Sequence, residues 1–293
     1  MMELFLQQLI AGISTGTIYA CIGLAVVMIY KSIGHVNFAQ GEMAMISTFA
    51  AWQIMDFGFS YWLAFPMTVL LSFAAGVTIE RILMRPLRHA PPLSLVIVFI
   101  GLLLILNSLA GFIWSFTVKP FPTPFGTAPF LSSTLISQHQ VGMMAVTLFI
   151  LIMLFIFLRS TRIGLAMRGA ANNPSSARLL GIRVTKIEGL GWGLAASIGS
   201  ISGMLIAPIV FLEPNMMAGT LIYGFAGAVL GGLSNPAGAV LGGILVGILE
   251  NLAGTFIPVI GGELKLTLAL VTIVSVLVIR PQGLLGKKMV YRV

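Results

Sequence analysis

The hydrophobic pattern of this sequence consists of long apolar runs separated by short polar connections. A helix that crosses about 30 Å of hydrocarbon needs roughly 20 apolar residues. The runs near this length are Leu4–Tyr30, Phe38–Met55, Trp62–Ile79, Leu93–Phe116, Val141–Leu158 and Leu190–Leu212, and the shorter ones are Leu221–Leu233, Ala239–Ile257 and Leu264–Ile279. None shows the alternation of a barrel strand. The pattern predicts an all-α integral membrane protein, a polytopic bundle of about 8–10 hydrophobic elements with nine favoured and some discontinuous.

Composition supports a membrane protein and changes how the positive charge is interpreted. The chain is 58% hydrophobic and 8% charged, with a mean hydropathy of +1.06, whereas soluble domains carry about 25% charged residues. A net charge of +8 would suggest nucleic acid in a soluble protein. Here the positive-inside rule explains it better. We therefore expect a lipid bilayer and no nucleic acid as partner, and, since the start of the chain carries Glu3 and no basic residue, no signal peptide.

The positions of Lys and Arg predict the orientation. With nine passes, 14 of the 16 Lys and Arg residues fall on one side of the membrane and only Lys119 and Lys265 fall on the other. The majority are Lys31, Arg81, Arg85, Arg88, Arg159, Arg162, Arg168, Arg178, Arg183, Lys186, Arg280, Lys287, Lys288 and Arg292. Because basic loops stay in the cytoplasm, the N-terminus is predicted outside and the C-terminus inside.

One cytoplasmic connection, residues 159–188, is long for a helical bundle. Within it, Asn173-Pro174 is typical of a helix start and Gly181 of a helix end, with Ser175 able to help cap the helix. A short helix on a cytoplasmic loop suggests docking to a partner protein. A basic helix lying on the lipid surface is the alternative.

Glycine pairs four residues apart recur along the predicted helices and are concentrated late in the chain. Pairs such as Gly227/Gly231 and Gly238/Gly242 share a helix face and predict close helix packing. The same block contains two short apolar halves around Ser-Asn235-Pro-Ala-Gly, a turn sequence. In a transporter, short segments interrupted by Gly and Pro indicate discontinuous helices near the translocation path.

Residues that could support catalysis or hold a cofactor do not form a recognisable set. The three histidines His35, His89 and His139 are far apart, and the chain has a single Asp, Asp56. No phosphate-binding loop of the Walker type occurs. We therefore expect no enzyme activity, no metal site and no cofactor.

One polar stretch interrupts the second apolar run. Asn37, Gln40 and Glu42 follow a run without a charged residue, and a charge at mid-bilayer costs about 2.5–3.5 kcal/mol on insertion scales. These groups either satisfy broken backbone at a kinked helix start or border a water-filled path. We expect them in the protein interior, in the cytoplasmic half, with a gating or bracing role rather than contact with a substrate ammonium group. Glu250, near a span end, fits an interfacial role or a place along a path.

Three segments together resemble a known family. "GLAVVMIYKSIGHVNFAQGEMAMIS" is similar to the first-helix signature of the permease subunit of branched-chain amino acid ABC importers, the LivH-like type. "TRIGLAMRGAANNPSSARLLGI" resembles its cytoplasmic loop, and "AVLGGLSNPAGAVLGGILVGILE" with "RPQGLLG" resembles its late glycine-rich segment and tail. The resemblance covers essentially the whole chain. Gln40 stands where His is common, and Lys31 where Gly is usual.

The resemblance implies a single transmembrane permease domain over 1–293 with a cytoplasmic coupling loop over 159–188. The chain would form half of the translocation path beside a homologous second permease, in a bacterial inner membrane. Two cytoplasmic ABC ATPase subunits would drive it and an extracytoplasmic substrate-binding protein would deliver substrate. The implied path or gating residues are Asn37, Gln40, Glu42, Asn235 and Glu250, and the implied ATPase-coupling residues are Arg168, Ala171, Asn173, Pro174, Ala177, Leu180 and Gly181.

Within such a family, urea, short amides or another small solute are alternative substrates to branched-chain amino acids. An ion-coupled secondary transporter is the alternative from another class. It would need no docking loop, but it would need acids or unwound carbonyls at mid-depth.

Overall fold

Helices form nearly all of the regular structure of the chain. The structure is a computed structural model, and it describes residues 1–88, 90–130, 133–262 and 264–286. His89 and the basic tail residues Lys287, Lys288 and Arg292 lie outside the described residues. The helices are α1 (Met2–Ile33), α2 (Gln40–Asp56), α3 (Tyr61–Ile79), α4 (Pro92–Trp114), α5 (Gln138–Ser160), α6 (Arg162–Asn172), α7 (Pro174–Leu179), α8 (Val184–Val210), α9 (Met216–Gly231), α10 (Pro236–Phe256) and α11 (Lys265–Ile279).

Two short irregular elements accompany the helices. A π-helical turn, Glu80–Met84, continues α3. Strand β1 (Pro129–Phe130) pairs antiparallel with β2 (Ser133–Ser137) in the connection after α4, with Pro129 opposite Ser137. This hairpin lies in the Pro-rich loop that separates α4 from α5, so it does not alter the helical character of the chain.

Among the described residues, six helices are long and apolar enough to cross a membrane, which makes the chain a multi-pass helical membrane protein. They are α1, α3 with its π-turn, α4, α5, α8 and α10. Each of the nine apolar runs overlaps a helix, but the number of crossings and the position of the termini stay predictions. One detail differs from the sequence interpretation. The run that begins at Ala239 is not a short half, because α10 extends over 21 residues.

Contacts divide the chain into two compact units. The first unit comprises Met1–Val27, Phe125–Ala145 and the described residues of Ala218–Val293, and the second comprises Met28–Pro124 and Val146–Met217. That the whole of 1–293 acts as one permease domain stays a prediction.

Close packing of α8 against α3 and α2 forms the core of the second unit. Trp192 of α8 is fully buried, and a Cβ built on Gly76 of α3 would lie 2.6 Å from its carbonyl oxygen. A Cβ on Gly203 of α8 would lie 3.0 Å from the carbonyl oxygen of Ala44 in α2. Small residues therefore let these three backbones approach one another, as in other membrane bundles.

Glycines also bring helices of the first unit into contact. A Cβ on Gly12 of α1 would lie 2.8 Å from the Cα atom of Ile248 in α10, and one on Gly16 would lie 2.8 Å from the Cα atom of Ile244. Between α9 and α10, the predicted packing residues Gly227, Gly231, Gly238 and Gly242 each face backbone atoms of the opposite helix. No side chain larger than hydrogen fits at these positions without moving a helix.

Candidate functional site

The polar stretch after α1 begins where the helix breaks. Gly34 adopts a φ of +74°, which ends α1, and α2 does not begin until Gln40. Asn37 is fully buried and its side-chain oxygen accepts a hydrogen bond from the Ala39 backbone N–H at 3.0 Å. This bond stabilises the turn that leads into α2.

Gln40 and Glu42 are buried at the start of α2. Gln40 is fully buried, and its side-chain amide donates to the backbone carbonyl of Ala195 in α8 at 3.0 Å. The Gln40 Oε1 atom has no hydrogen-bond partner in the structure. Glu42 is 6% exposed. Like Asn37, both side chains lie inside the protein, and their role in a path stays a prediction.

Glu42 belongs to a polar cluster formed by three elements. The Asn107 Nδ2 atom of α4 lies 3.4 Å from Glu42 Oε2, 2.9 Å from the backbone carbonyl oxygen of Pro214 and 3.1 Å from Asn215 Oδ1. Pro214 and Asn215 lie in the connection between α8 and α9. We call Glu42, Asn107, Pro214 and Asn215 the Asn107 cluster. It places a carboxylate, two amides and a backbone carbonyl around one point.

The position of this cluster along α4 bears on the depth of Glu42. Asn107 lies 15 residues after the start of α4 and seven before its end at Trp114, about 22 Å and about 10 Å along the helix. With the predicted orientation, Trp114 is at the external end of α4, whereas Glu42 is the third residue of α2. The prediction that Glu42 lies in the cytoplasmic half stays a prediction. The break after Gly34 places the start of α2 beside the middle of α8, where Gln40 bonds to Ala195.

Asn235 and Glu250 belong to the first unit. The Asn235 side chain caps α10 by accepting from the backbone N–H of Ala237 at 3.1 Å, and its amide donates to the Leu285 carbonyl at 2.9 Å. Glu250 accepts a hydrogen bond from the Tyr19 hydroxyl at 2.6 Å. Asn235 thus has an evident structural task, and its predicted role in a path has no contact that supports it.

Glu250 is part of a second polar group within the apolar helices. Its other carboxylate oxygen lies 4.0 Å from the Lys265 ammonium at the start of α11, and the Tyr19 ring stacks on Tyr223 at 4.9 Å between ring centroids. These contacts pair the charge of Glu250 and link α1, α9, α10 and α11. A bracing role is sufficient to explain them, and the predicted gating role stays a prediction.

The predicted coupling loop contains a short helix with defined caps at both ends. Asn173 caps the start of α7, its side-chain oxygen accepting from the Ser176 N–H at 2.9 Å. At the other end, Gly181 has a φ of +79°. The N–H groups of Gly181 and Ile182 donate to the carbonyls of Arg178 and Ala177, each at 3.0 Å. This pair of bonds is a Schellman motif, so the helix ends at Gly181 and begins after Asn173, as the sequence predicted.

Within this loop, the predicted coupling residues differ in exposure. Ala177 is buried and packs with Ala170 of α6 and Val184 of α8. Leu179 and Leu180 are 90% and 81% exposed. The predicted residues Arg168, Asn173, Pro174 and Gly181 are exposed, and Ala171 is partly buried. Ala177 therefore anchors α7 to α8, and the two leucines form the apolar surface available to a partner.

Ion pairs connect the π-turn region with the start of α8. Glu80 is 1% exposed and forms an ion pair with Arg85 at 2.9 Å, and Arg88 pairs with Glu188 of α8. Burial lowers the pKa of Arg88, and the positive charge of Arg178 in α7 lowers it further. Arg178 therefore lies within electrostatic reach of the Arg88–Glu188 pair, which joins the coupling loop to this network.

Several residues of these sites escaped the sequence interpretation. Asn107 had a readable signal, since it is the one amide in the apolar run Leu93–Phe116. Asn215, Leu179 and the pair Arg88–Glu188 carried no such signal. In the described residues, no group of three or more His, Cys, Asp and Glu side chains could hold a metal ion.

Comparison with known proteins gives the family to which this fold and these sites belong. The fold is that of a multi-pass helical membrane protein, and over residues 8–279 the chain matches the family described as "Branched-chain amino acid transport system / permease component". The chain belongs to this family.

Two relatives and one solved structure extend this match over nearly the whole chain. The chain is 30% identical to the high-affinity branched-chain amino acid transport system permease protein LivH of Salmonella typhimurium, covering 99% of this chain and 98% of that one. It is 31% identical to the permease protein BraD of Pseudomonas aeruginosa, with the same coverage. The structure of PsaBC from Streptococcus pneumoniae in complex with Fab is similar in fold, with a TM-score of 0.51, 14% identity and coverage of 93% of this chain and 91% of that one.

Proposed function

We propose that the chain is the permease subunit of an ATP-driven importer and forms half of a translocation path for branched-chain or other small hydrophobic amino acids. The observation that carries this proposal is the similarity to LivH and BraD over 99% of the chain. The protein lies in a bacterial inner membrane and works by alternating access. ATP is hydrolysed by partner subunits and not by this chain.

Its partners are a homologous second permease, two cytoplasmic ABC ATPase subunits and an extracytoplasmic substrate-binding protein. The structure of the coupling loop is the reason for proposing ATPase partners. Leu179 and Leu180 offer an exposed apolar surface on α7, and Ala177 joins α7 to α8 through Val184. A force applied to α7 by an ATPase is thus passed to α8, which packs against α2 and α3. That motion changes access to the path.

Transport by the assembled importer in proteoliposomes tests the function. Radiolabelled leucine, isoleucine and valine are offered outside with the binding protein, and ATP is enclosed with the ATPase subunits. We expect uptake that needs ATP hydrolysis and is not reduced by excess urea or acetamide. Competition by urea or acetamide, without competition by valine, would assign a different solute to the importer. Uptake driven by an ion gradient without ATP would instead identify a secondary transporter.

One double variant and one single control variant test the coupling surface on α7. Leu179→Ala/Leu180→Ala removes most of the apolar surface of α7, and Leu165→Ala removes an exposed leucine of α6 as the control. We expect the double variant to lose transport and substrate-stimulated ATP hydrolysis while the permease stays folded, and the control to retain both. Normal coupling in the double variant would remove α7 from the mechanism.

A further inference from the structure

The Asn107 cluster contains more hydrogen-bond acceptors than its donor can satisfy. Three oxygens, from Glu42, Pro214 and Asn215, lie within 3.4 Å of the Asn107 Nδ2 atom. A side-chain amide nitrogen carries two hydrogens. The distance to the Glu42 carboxylate is the longest of the three. The charged acceptor, which would form the strongest hydrogen bond, therefore has the weakest one here.

The charge of the cluster is also unbalanced. Among the described residues, the ion pairs involve Glu80, Glu188 and Glu250, and none involves Glu42. A carboxylate inside a membrane protein pairs, reaches water or marks a functional site. Asn215 is exposed and Asn107 half-buried, whereas Glu42 is buried, so the cluster opens to the surface of the subunit on the side of Asn215.

We propose that the oxygens of Glu42, Pro214 and Asn215 form a binding site for a primary ammonium group, and that the Asn107 amide occupies this site when no ligand is bound. A primary ammonium has three N–H donors and one positive charge, which match three acceptors, one of them anionic. On binding, the Asn107 side chain moves aside and the ammonium replaces it. The identity of the ligand as the ammonium of an amino acid rests on the proposed function.

The position of the Asn107 cluster suits a site on the side of the translocation path where substrate enters. The sequence argument against ammonium contact assumed a cytoplasmic position, where a strong charge pair would slow release into the cell. Asn107 lies nearer to Trp114 than to Pro92, and in the predicted orientation Trp114 is at the external end of α4. In that orientation the site receives the substrate's ammonium before the substrate passes further, and Asn107 displaces it afterwards.

Binding of an alkylammonium to the full chain in lipid nanodiscs tests the site without any need for transport. The probe is 3-methylbutylammonium, measured by isothermal titration against empty nanodiscs. Its trimethylated analogue carries the same charge without N–H donors and serves as the control ligand. We expect saturable binding of the primary ammonium only. Equal binding of both ligands, or binding of sodium alone with the same dependence on Glu42, would overturn the proposal.

Variants separate ligand binding from bracing. Glu42→Gln and Asn215→Ala should each weaken binding, the first by about tenfold or more. Asn107→Ala removes the internal competitor and should tighten binding severalfold. Gln53→Ala is the matched control, because it also removes a hydrogen bond between α2 and α4, from the Trp114 indole at 2.9 Å, but lies outside the cluster. It should leave binding unchanged.

The direction of the Asn107→Ala effect decides between the two roles. A residue that only braces the helices would weaken binding when truncated, and that result would overturn the proposal. So would unchanged binding in Glu42→Gln and Asn215→Ala, the second of which alters an exposed side chain and should fold normally. Failure of amino acid transport by the wild-type importer would contradict the proposed function but leave a positive binding result valid. Normal leucine uptake by Glu42→Gln would contradict only this inference.

Discussion

The two caps of α7 allow a quantitative test of the coupling loop. An isolated helix of six residues is not stable in water, because helix nucleation is unfavourable. The side-chain oxygen of Asn173 satisfies one N–H at the start of α7, and Gly181 supplies the left-handed conformation at its end. The double variant Asn173→Ala/Gly181→Ala removes both devices and leaves the buried anchor Ala177 in place. We expect α7 to unfold locally.

The magnitude follows from the two caps. Loss of an Asn cap costs about 1 kcal/mol, and placing alanine in a left-handed conformation costs about 1–2 kcal/mol. The two positions are eight residues apart, about 12 Å along the chain axis of a helix, so the costs should add. A total of about 2–3 kcal/mol shifts the local opening equilibrium roughly 30- to 140-fold.

Hydrogen–deuterium exchange of the permease in nanodiscs measures this shift. The reporting amides are those of Gly181 or its replacement and Ile182, which close the end of α7. We expect their exchange to accelerate roughly 30- to 140-fold and coupled transport to fall, while exchange in α8 is unchanged. Ser175→Ala is the control, since Ser175 is exposed and Asn173 caps the helix instead. Equal acceleration in Ser175→Ala, or none in the double variant, would refute this account of the caps.

Three further predictions concern packing, polar pairing and topology. Gly76→Ala should lower the melting temperature because its Cβ would lie 2.6 Å from a backbone oxygen of α8, whereas Gly101→Ala, with nothing within 4 Å, should be neutral or stabilising. Tyr19→Phe removes a hydrogen bond to a partly buried carboxylate and should cost about 1.5–3 kcal/mol, measured by thermal unfolding in detergent. With the native cysteine replaced, an impermeant maleimide should label Thr127→Cys but not Ser175→Cys in intact cells, and the reverse result would invert the predicted orientation.

Local sequence signals predicted the helices and one helix end. The length and composition of each apolar run are sufficient to predict its helix, because no contact with a distant residue is needed. Gly181 is likewise a local signal, because few other residues adopt its conformation. The start of α7 was predicted at Asn173-Pro174, with Ser175 able to help cap the helix. In the structure the Asn173 side chain caps it.

The candidate site depended on contacts between distant parts of the chain, which the sequence could not supply. Glu42 stood out as a charge in an apolar run, but its partner Asn107 is 65 residues away. The depth of Glu42 stays a prediction, because it depends on the orientation of the helices in the membrane. The length of α10 was underestimated, since Asn235-Pro236 marks a helix start and not the centre of a broken helix.

The π-turn at the end of α3 has a consequence for how this protein can change in evolution. A π-turn contains one residue more than the α-helical path it replaces, and here the N–H of Arg85 donates to the carbonyl of Glu80, five residues earlier. Deleting one of the exposed residues Arg81 and Ile82 would restore the α-helical path and leave the direction of the helix after the turn unchanged. Arg85 and Arg88 would then stay within reach of Glu80 and Glu188. The turn therefore absorbs a change of one residue in length, and relatives should differ here by the presence or absence of a single residue, while the buried Glu80 and Met84 should vary little.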